Sequence, residues 1–132
     1  MTENSNITTE LLDAIQDAFN RHDVDRILSA VDILALPSLS EGLPFAAMEA
    51  MAAGMAVVAS RVGALPELLD EGQAGVVVRP GAVEELASRL AEVVADAQRR
   101  TRLAACGRQR VMEEFNFEAM IDCTEAIMSK YS

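Results

Sequence analysis

Apolar positions along this chain fall into two kinds of run. Ile33-Leu34-Ala35-Leu36, Ala56-Val57-Val58-Ala59 and Gly75-Val76-Val77-Val78 are short and continuous, the pattern of strands buried on both faces of a sheet. Elsewhere apolar residues recur every three or four positions, which predicts helices. Thr8 or Thr9 caps the first, with Leu11, Leu12, Ile15, Ala18 and Phe19 on one face. Asp23 caps a second, carrying Val24, Ile27, Leu28 and Val31. Pro44 suits the first turn of a helix that runs to about Ala53 and stops at Gly54, with Met48, Met51 and Ala52 facing the core. Pro66 opens a short helical turn through Leu69, and Asp70-Glu71-Gly72-Gln73 reads as a turn. Beyond Arg79-Pro80-Gly81 three helices are expected, marked by Leu86, Leu90, Val93 and Val94, then Leu103, Val111 and Met112, then Met120, Ile121, Ile127 and Met128.

This alternation predicts an α/β fold: a small, three-stranded parallel sheet (half-Rossmann) with helices on both faces, helix-rich overall. A length of 132 residues with 51% hydrophobic content fits a single domain, 1–132, with its own core. Aromatic residues make up 4% and there is no Trp, so small side chains must fill that core and stacking platforms for bases are lacking.

Charge narrows the partners. A formal net charge of −10 and a pI near 4.4 would repel a phosphate backbone, which argues against nucleic acid. Arg99, Arg100, Arg102, Arg108 and Arg110 are interleaved with apolar residues at helical spacing and read as a solvated helix face, not an anion site. Arg, Asp or Glu interrupts every apolar run before it reaches the length of a membrane span. Cys106 and Cys123 read as reduced core thiols of a cytoplasmic protein, since nothing resembling a signal peptide precedes them. His22 has no partner and reads as an exposed turn residue. No metal cluster and no cofactor is implied.

The stretch from Pro37 to Gly54 carries the candidate chemistry. In an open parallel sheet ligands bind beyond the carboxyl ends of the strands, where the loop Pro37 to Pro44 lies. Gly42 permits close backbone approach, and the amides from Phe45 onward sit at the positive end of a helix dipole. A phosphate or diphosphate is the natural ligand there, although Pro44 withholds one amide. Glu41 lies in the loop and Glu49 about a turn into the helix, so they would approach a ligand from different sides. A carboxylate accepts hydroxyl hydrogen bonds, which suits a sugar at one and a ribose at the other. The alternative is that Glu41 is solvated and Glu49 bonds neighbouring groups.

At these residues the sequence resembles the retaining glycosyltransferases of family four, which have the two-Rossmann-domain GT-B architecture. The resemblance runs from about Arg26 to Tyr131. It includes Ala30 to Ser38, with Val31 between Ala30 and Asp32, and the Glu-x7-Glu pair Glu41 and Glu49. Val62-Gly63-Ala64-Leu65-Pro66-Glu67 follows the family's VGGxPE element with Ala64 for its second Gly, and Gly75 to Val78 and Phe115-Asn116-Phe117 match further elements. The resemblance implies that Glu41, Gly42 and Leu43 contact the donor sugar and diphosphate and that Glu49 binds the nucleotide ribose; Phe45 joins them as a binding candidate through the helix-start amides. It also shows what does not match: the amino-terminal acceptor domain, and the first donor-domain strands that bring the cations opposite the leaving diphosphate. Arg21 and Arg26 stand in no matching context, so no catalytic residue is assigned. Residues 8–31 resemble the opening helices of a SnoaL-like domain, which implies a chimera of a helical segment, 1–30, and a partial donor domain, 31–132.

Two readings follow. One is a truncated half-domain that binds a nucleoside-diphosphate sugar weakly and is not catalytic alone. The other is a ligand-free recombined or engineered fold with a structural role, in which the edge left by Ile33 to Leu36 is covered by the amino-terminal helices or by a second copy in a homodimer. A complete enzyme would need a partner chain supplying the acceptor domain.

Overall fold

The computed structural model describes residues 9–10, 13–14, 16–17, 30–42, 44–115 and 125–130. The chain divides into two compact units, Met1–Asp32 and Ile33–Ser132. In the first unit residues 9–10, 13–14 and 16–17 are helical and exposed. Leu11, Leu12, Ile15, His22 and the expected second helix lie outside the described residues.

The second unit carries the sheet. Strand β1 is Ile33–Leu36, followed by helix α1, Phe45–Ala52, and strand β2, Ala56–Ser60. A short helix α2, Leu65–Leu68, and a 3-10 turn, Asp70–Gly72, lead to strand β3, Val76–Val78. Helices α3, Val83–Ala95, and α4, Ala97–Glu114, follow, and residues 125–130 are helical. The strands are parallel in the order β1-β2-β3, with Ala35 opposite Val58 and Val58 opposite Val76. The three-stranded parallel α/β architecture expected from the alternation of runs is therefore the one observed.

All five residues of β2 are buried. Successive side chains point to opposite faces, so burial of the whole strand requires cover on both. One cluster joins Ala56, Val58, Val76 and Val78 to Val93 of α3 and Leu103 of α4, with Ile33, Leu86 and Leu90 packed against it. Strand β1 departs from expectation: Ile33, Leu34 and Leu36 are half-buried and Ala35 is exposed. It stands at the sheet edge with β2 as its one neighbour among the described strands, which explains the difference.

Helix α1 ends as its sequence predicts. Gly54 at φ +81° donates to the Met51 carbonyl, and Met55 N–H to that of Ala50, both at 3.0 Å, a Schellman closure that favours glycine. Met51 is buried with Ala47 and Ala50, whereas Met48 and Ala52 are half-buried. Between α3 and α4 the Asp96 carboxylate accepts from Arg99 N–H at 3.0 Å, capping α4. Arg100 Nη1 donates to the Val93 and Val94 carbonyls at 3.1 and 2.8 Å, closing α3.

Val94, Met112, Ile127 and Met128, which mark helices in the sequence, are exposed; the covered stripes run through Leu86, Leu90 and Val93 on α3 and through Leu103, Gly107 and Val111 on α4. Cys106 lies beside that second stripe and is exposed, not a core thiol; Cys123, Met120 and Ile121 lie outside the described residues. The arginine run is only partly a solvated face, since Arg99, Arg100 and Arg110 are half-buried and bonded. Among the described residues no helix is long and apolar enough to cross a membrane.

Candidate functional site

The loop after β1 leaves the carboxyl end of the sheet and returns as α1. Pro44 is the N-cap, with φ −84° and ψ 67°, and no side chain caps the helix. Met48 N–H makes the first four-residue hydrogen bond, to the Pro44 carbonyl at 3.1 Å. The amides of Phe45, Ala46 and Ala47 therefore precede the helical ladder, at the end where an anion is stabilised.

Side chains on α1 divide by face. Ala47, Ala50 and Met51 are buried, Met51 against Gly107 of α4, while Phe45 and Glu49, one turn apart, are both exposed. Glu49 is thus available to a ligand arriving over the helix start. Glu41 is half-buried in the loop, where its carboxylate accepts from Ser38 Oγ at 3.0 Å. Gly42 is exposed with nothing near its missing side chain. Leu43 lies outside the described residues.

The loop after β2 comes up against this one. Gly63 has φ +53°, and a Cβ there would run into the Glu41 carbonyl oxygen and lie 3.1 Å from the carbonyl carbon. Only glycine fits both the backbone conformation and the space. Two motifs separate in sequence thus meet backbone to backbone. Because the peptide bonds are trans, Gly42 N–H points opposite to the Glu41 carbonyl and hence away from Gly63.

Beside the loop, a cavity of about 250 Å³ opens at the carboxyl ends of all three strands, lined by Pro37, Leu39, Ser60, Val78, Arg79 and Leu86 among others. Its walls are mainly apolar. Ser60 is buried, its hydroxyl 3.4 Å from the Leu36 carbonyl. Arg79 Nε donates to Glu85 at 2.8 Å, and that bond holds the Glu85 carboxyl below the usual carboxylate range. No group of three or more His, Cys, Asp or Glu side chains suited to a metal ion occurs among the described residues.

Of the residues singled out from sequence, Glu41, Gly42, Phe45 and Glu49 share one loop and helix start. The contributions of Ser38, Gly63 and Arg79 were not anticipated. A glycine after a strand was the signal for Gly63, but its contact with Glu41 is tertiary.

Known proteins resemble this chain in sequence and in fold. The family profile for glycosyl transferases group 1 matches residues 11–110. The α-maltose-1-phosphate synthase of Mycolicibacterium smegmatis is 36% identical over 124 residues, covering 89% of this chain and 32% of that one. Among solved structures, the sucrose-phosphate synthase from Thermosynechococcus elongatus superposes with a TM-score of 0.74 at 31% identity, covering 80% of this chain and 26% of that one. Anabaena HepE, solved in complex with UDP and with UDP-glucose, superposes with a TM-score of 0.71 at 27% identity, covering 78% and 29%. This chain spans about a third or less of the length of these proteins.

Proposed function

The chain belongs to the group 1 glycosyltransferase family, and from that premise we propose that it binds a nucleoside-diphosphate sugar without transferring the sugar on its own. The observation that carries this reading is the start of α1. Three amides ahead of the helical ladder, an exposed Gly42 and the two glutamates lie on the same loop and first turns of one helix. The diphosphate would take the amides of Gly42 and of Phe45 onward, with Leu43 contributing from the same loop. Glu41 would accept from donor-sugar hydroxyls, and Glu49, exposed beside Phe45, from the ribose. That HepE is solved with UDP and UDP-glucose supports a uridine nucleotide as the probe.

Binding of this kind is weak. The cradle has one amide fewer than a glycine-rich loop, because Pro44 has no N–H. Transfer further requires cationic stabilisation of the leaving diphosphate, an effect often worth several kcal/mol of barrier. Arg21 and Arg26 do not stand in the sequence context that supplies it in the family resembled. Titration with UDP should shift the amide resonances of Gly42 and of residues 45–47, and Glu49→Ala should weaken the effect. Unmoved resonances at millimolar UDP would overturn the reading.

A second reading, self-association, is favoured by β1. Its apolar residues are only half-buried and one edge has no strand beside it among the described residues. A homodimer joined at this edge would have twice the chain's 14.2 kDa in solution; a monomeric mass at micromolar concentration contradicts it. The SnoaL-like origin of residues 1–30, and with it the chimera, belongs to this reading.

A further inference from the structure

Arg110 spends its whole guanidinium on fixed partners. From α4 it reaches back 42 and 43 residues, Nε donating to the Leu68 carbonyl at 2.9 Å and Nη2 to the Glu67 carbonyl at 2.7 Å. Nη1 pairs with Glu114 at 2.7 Å, and the group lies 5.3 Å from the Phe115 ring centroid. Its side chain is 17% exposed, so these charge-assisted bonds are partly shielded from water.

The two carbonyls close α2, a helix of four residues. So short a helix has nearly all its terminal groups unmatched internally, and the bonds to them add to the burial of Leu65 and Leu68 in fixing its position. At its other end Leu65 N–H bonds the Val62 carbonyl at 3.2 Å and Leu68 N–H that of Ala64 at 2.9 Å. Those residues flank Gly63, the residue that abuts the Glu41 carbonyl. A continuous series of bonds and contacts thus joins α4 to the glutamate loop.

We propose that Arg110 is a positioning residue for the glutamate loop: by tying the carboxyl end of α2 to α4 it helps keep Gly63, at the other end of α2, against the Glu41 carbonyl and so sets the direction of Gly42 N–H. The consequence for affinity rests on the nucleotide-binding reading; the consequence for loop geometry does not. Arg110 touches no ligand in this account. It acts through α2 and Gly63.

The test compares Arg110→Gln, Arg110→Lys and Arg100→Gln in the full chain. Arg100 also bonds two helix-terminal carbonyls, but those of α3, so it controls for loss of stability alone. Arg110→Gln should move the Gly42 and Gly63 amide resonances of the free protein and weaken UDP affinity by about tenfold, on the order of one charge-assisted hydrogen bond. Arg110→Lys keeps the charge but not the two-pronged geometry, and should fall between. Arg100→Gln should lower the melting temperature and leave both readouts in place. The proposal is overturned if Arg110→Gln behaves like Arg100→Gln, less stable with Gly42 and Gly63 unmoved. If the parent chain does not bind UDP, the nucleotide reading fails and the free-protein resonances alone decide this one. If Arg110→Gln does not fold, Arg110→Lys decides, and an unmoved Gly42 and Gly63 overturns the proposal.

Discussion

Gly63→Ala perturbs the one point where the loops after β1 and β2 meet. Two penalties apply. An alanine at φ +53° occupies the left-handed region at roughly 1–2 kcal/mol. Its Cβ must also displace the Glu41 carbonyl, a backbone group that cannot rotate aside, and overpacking of that kind costs about 1–3 kcal/mol. Together they reach about 2–5 kcal/mol. Gly54→Ala is the matched control, since Gly54 has φ +81° but nothing within 4 Å of its Cβ position. It should lose only the backbone penalty, about 1–2 kcal/mol. Replacing glycine by alanine also restricts the unfolded chain, to a similar degree at both positions. The difference between the variants therefore isolates the contact with Glu41. Thermal and urea unfolding read it, at about 3–5 °C per kcal/mol for a chain of this size. Equal losses for the two variants would refute the claim that Gly63 docks on the glutamate loop.

Met51→Ala removes a fully buried side chain of α1 and should cost about 2–5 kcal/mol by urea unfolding, whereas Val94→Ala, at an exposed position, should stay within about 0.5 kcal/mol. Glu92 bonds both Arg99 and Arg89, which hold its carboxyl below the usual range in the folded chain. Its contribution is therefore present above the unfolded carboxylate pKa and is lost as pH falls through the lowered folded value. Because all three side chains are substantially exposed, Glu92→Gln should slightly flatten the acid limb of a melting-temperature profile, and the difference from the parent should vanish in 1 M salt. Asp96→Ala removes the cap of α4 and should lower stability by about 1 kcal/mol in thermal unfolding, with Asp96→Asn recovering most of it.

How much of this could be read in advance varied with the range of the interactions. Strand β2 was legible because a run of small β-forming residues buried on both faces leaves little alternative. Helix α1 was legible at both ends, since Pro44 and Gly54 act through their own backbone. Strand β1 has the same kind of sequence as β2 but a different environment: its apolar run alone reads as buried on both faces, while the family resemblance implies the edge at which the strand order places it. Cys106 was misjudged because the apolar stripe on α4 is narrow, passing through Gly107 instead. The candidate site was legible as a loop and helix start carrying Glu41, Gly42, Phe45 and Glu49. The Gly63 contact and the reach of Arg110 were not, because both join segments more than twenty residues apart, and no local pattern encodes such a meeting.

In the proposed function the start of α1 binds the diphosphate of a nucleotide sugar. A residue-resolved titration comparing UDP with uridine tests it most directly. The amides of Gly42, Phe45, Ala46 and Ala47 should shift with UDP and hardly with uridine, since the diphosphate is what they hold. Shifts of equal size with both compounds, or none at these four amides at millimolar UDP, would contradict it.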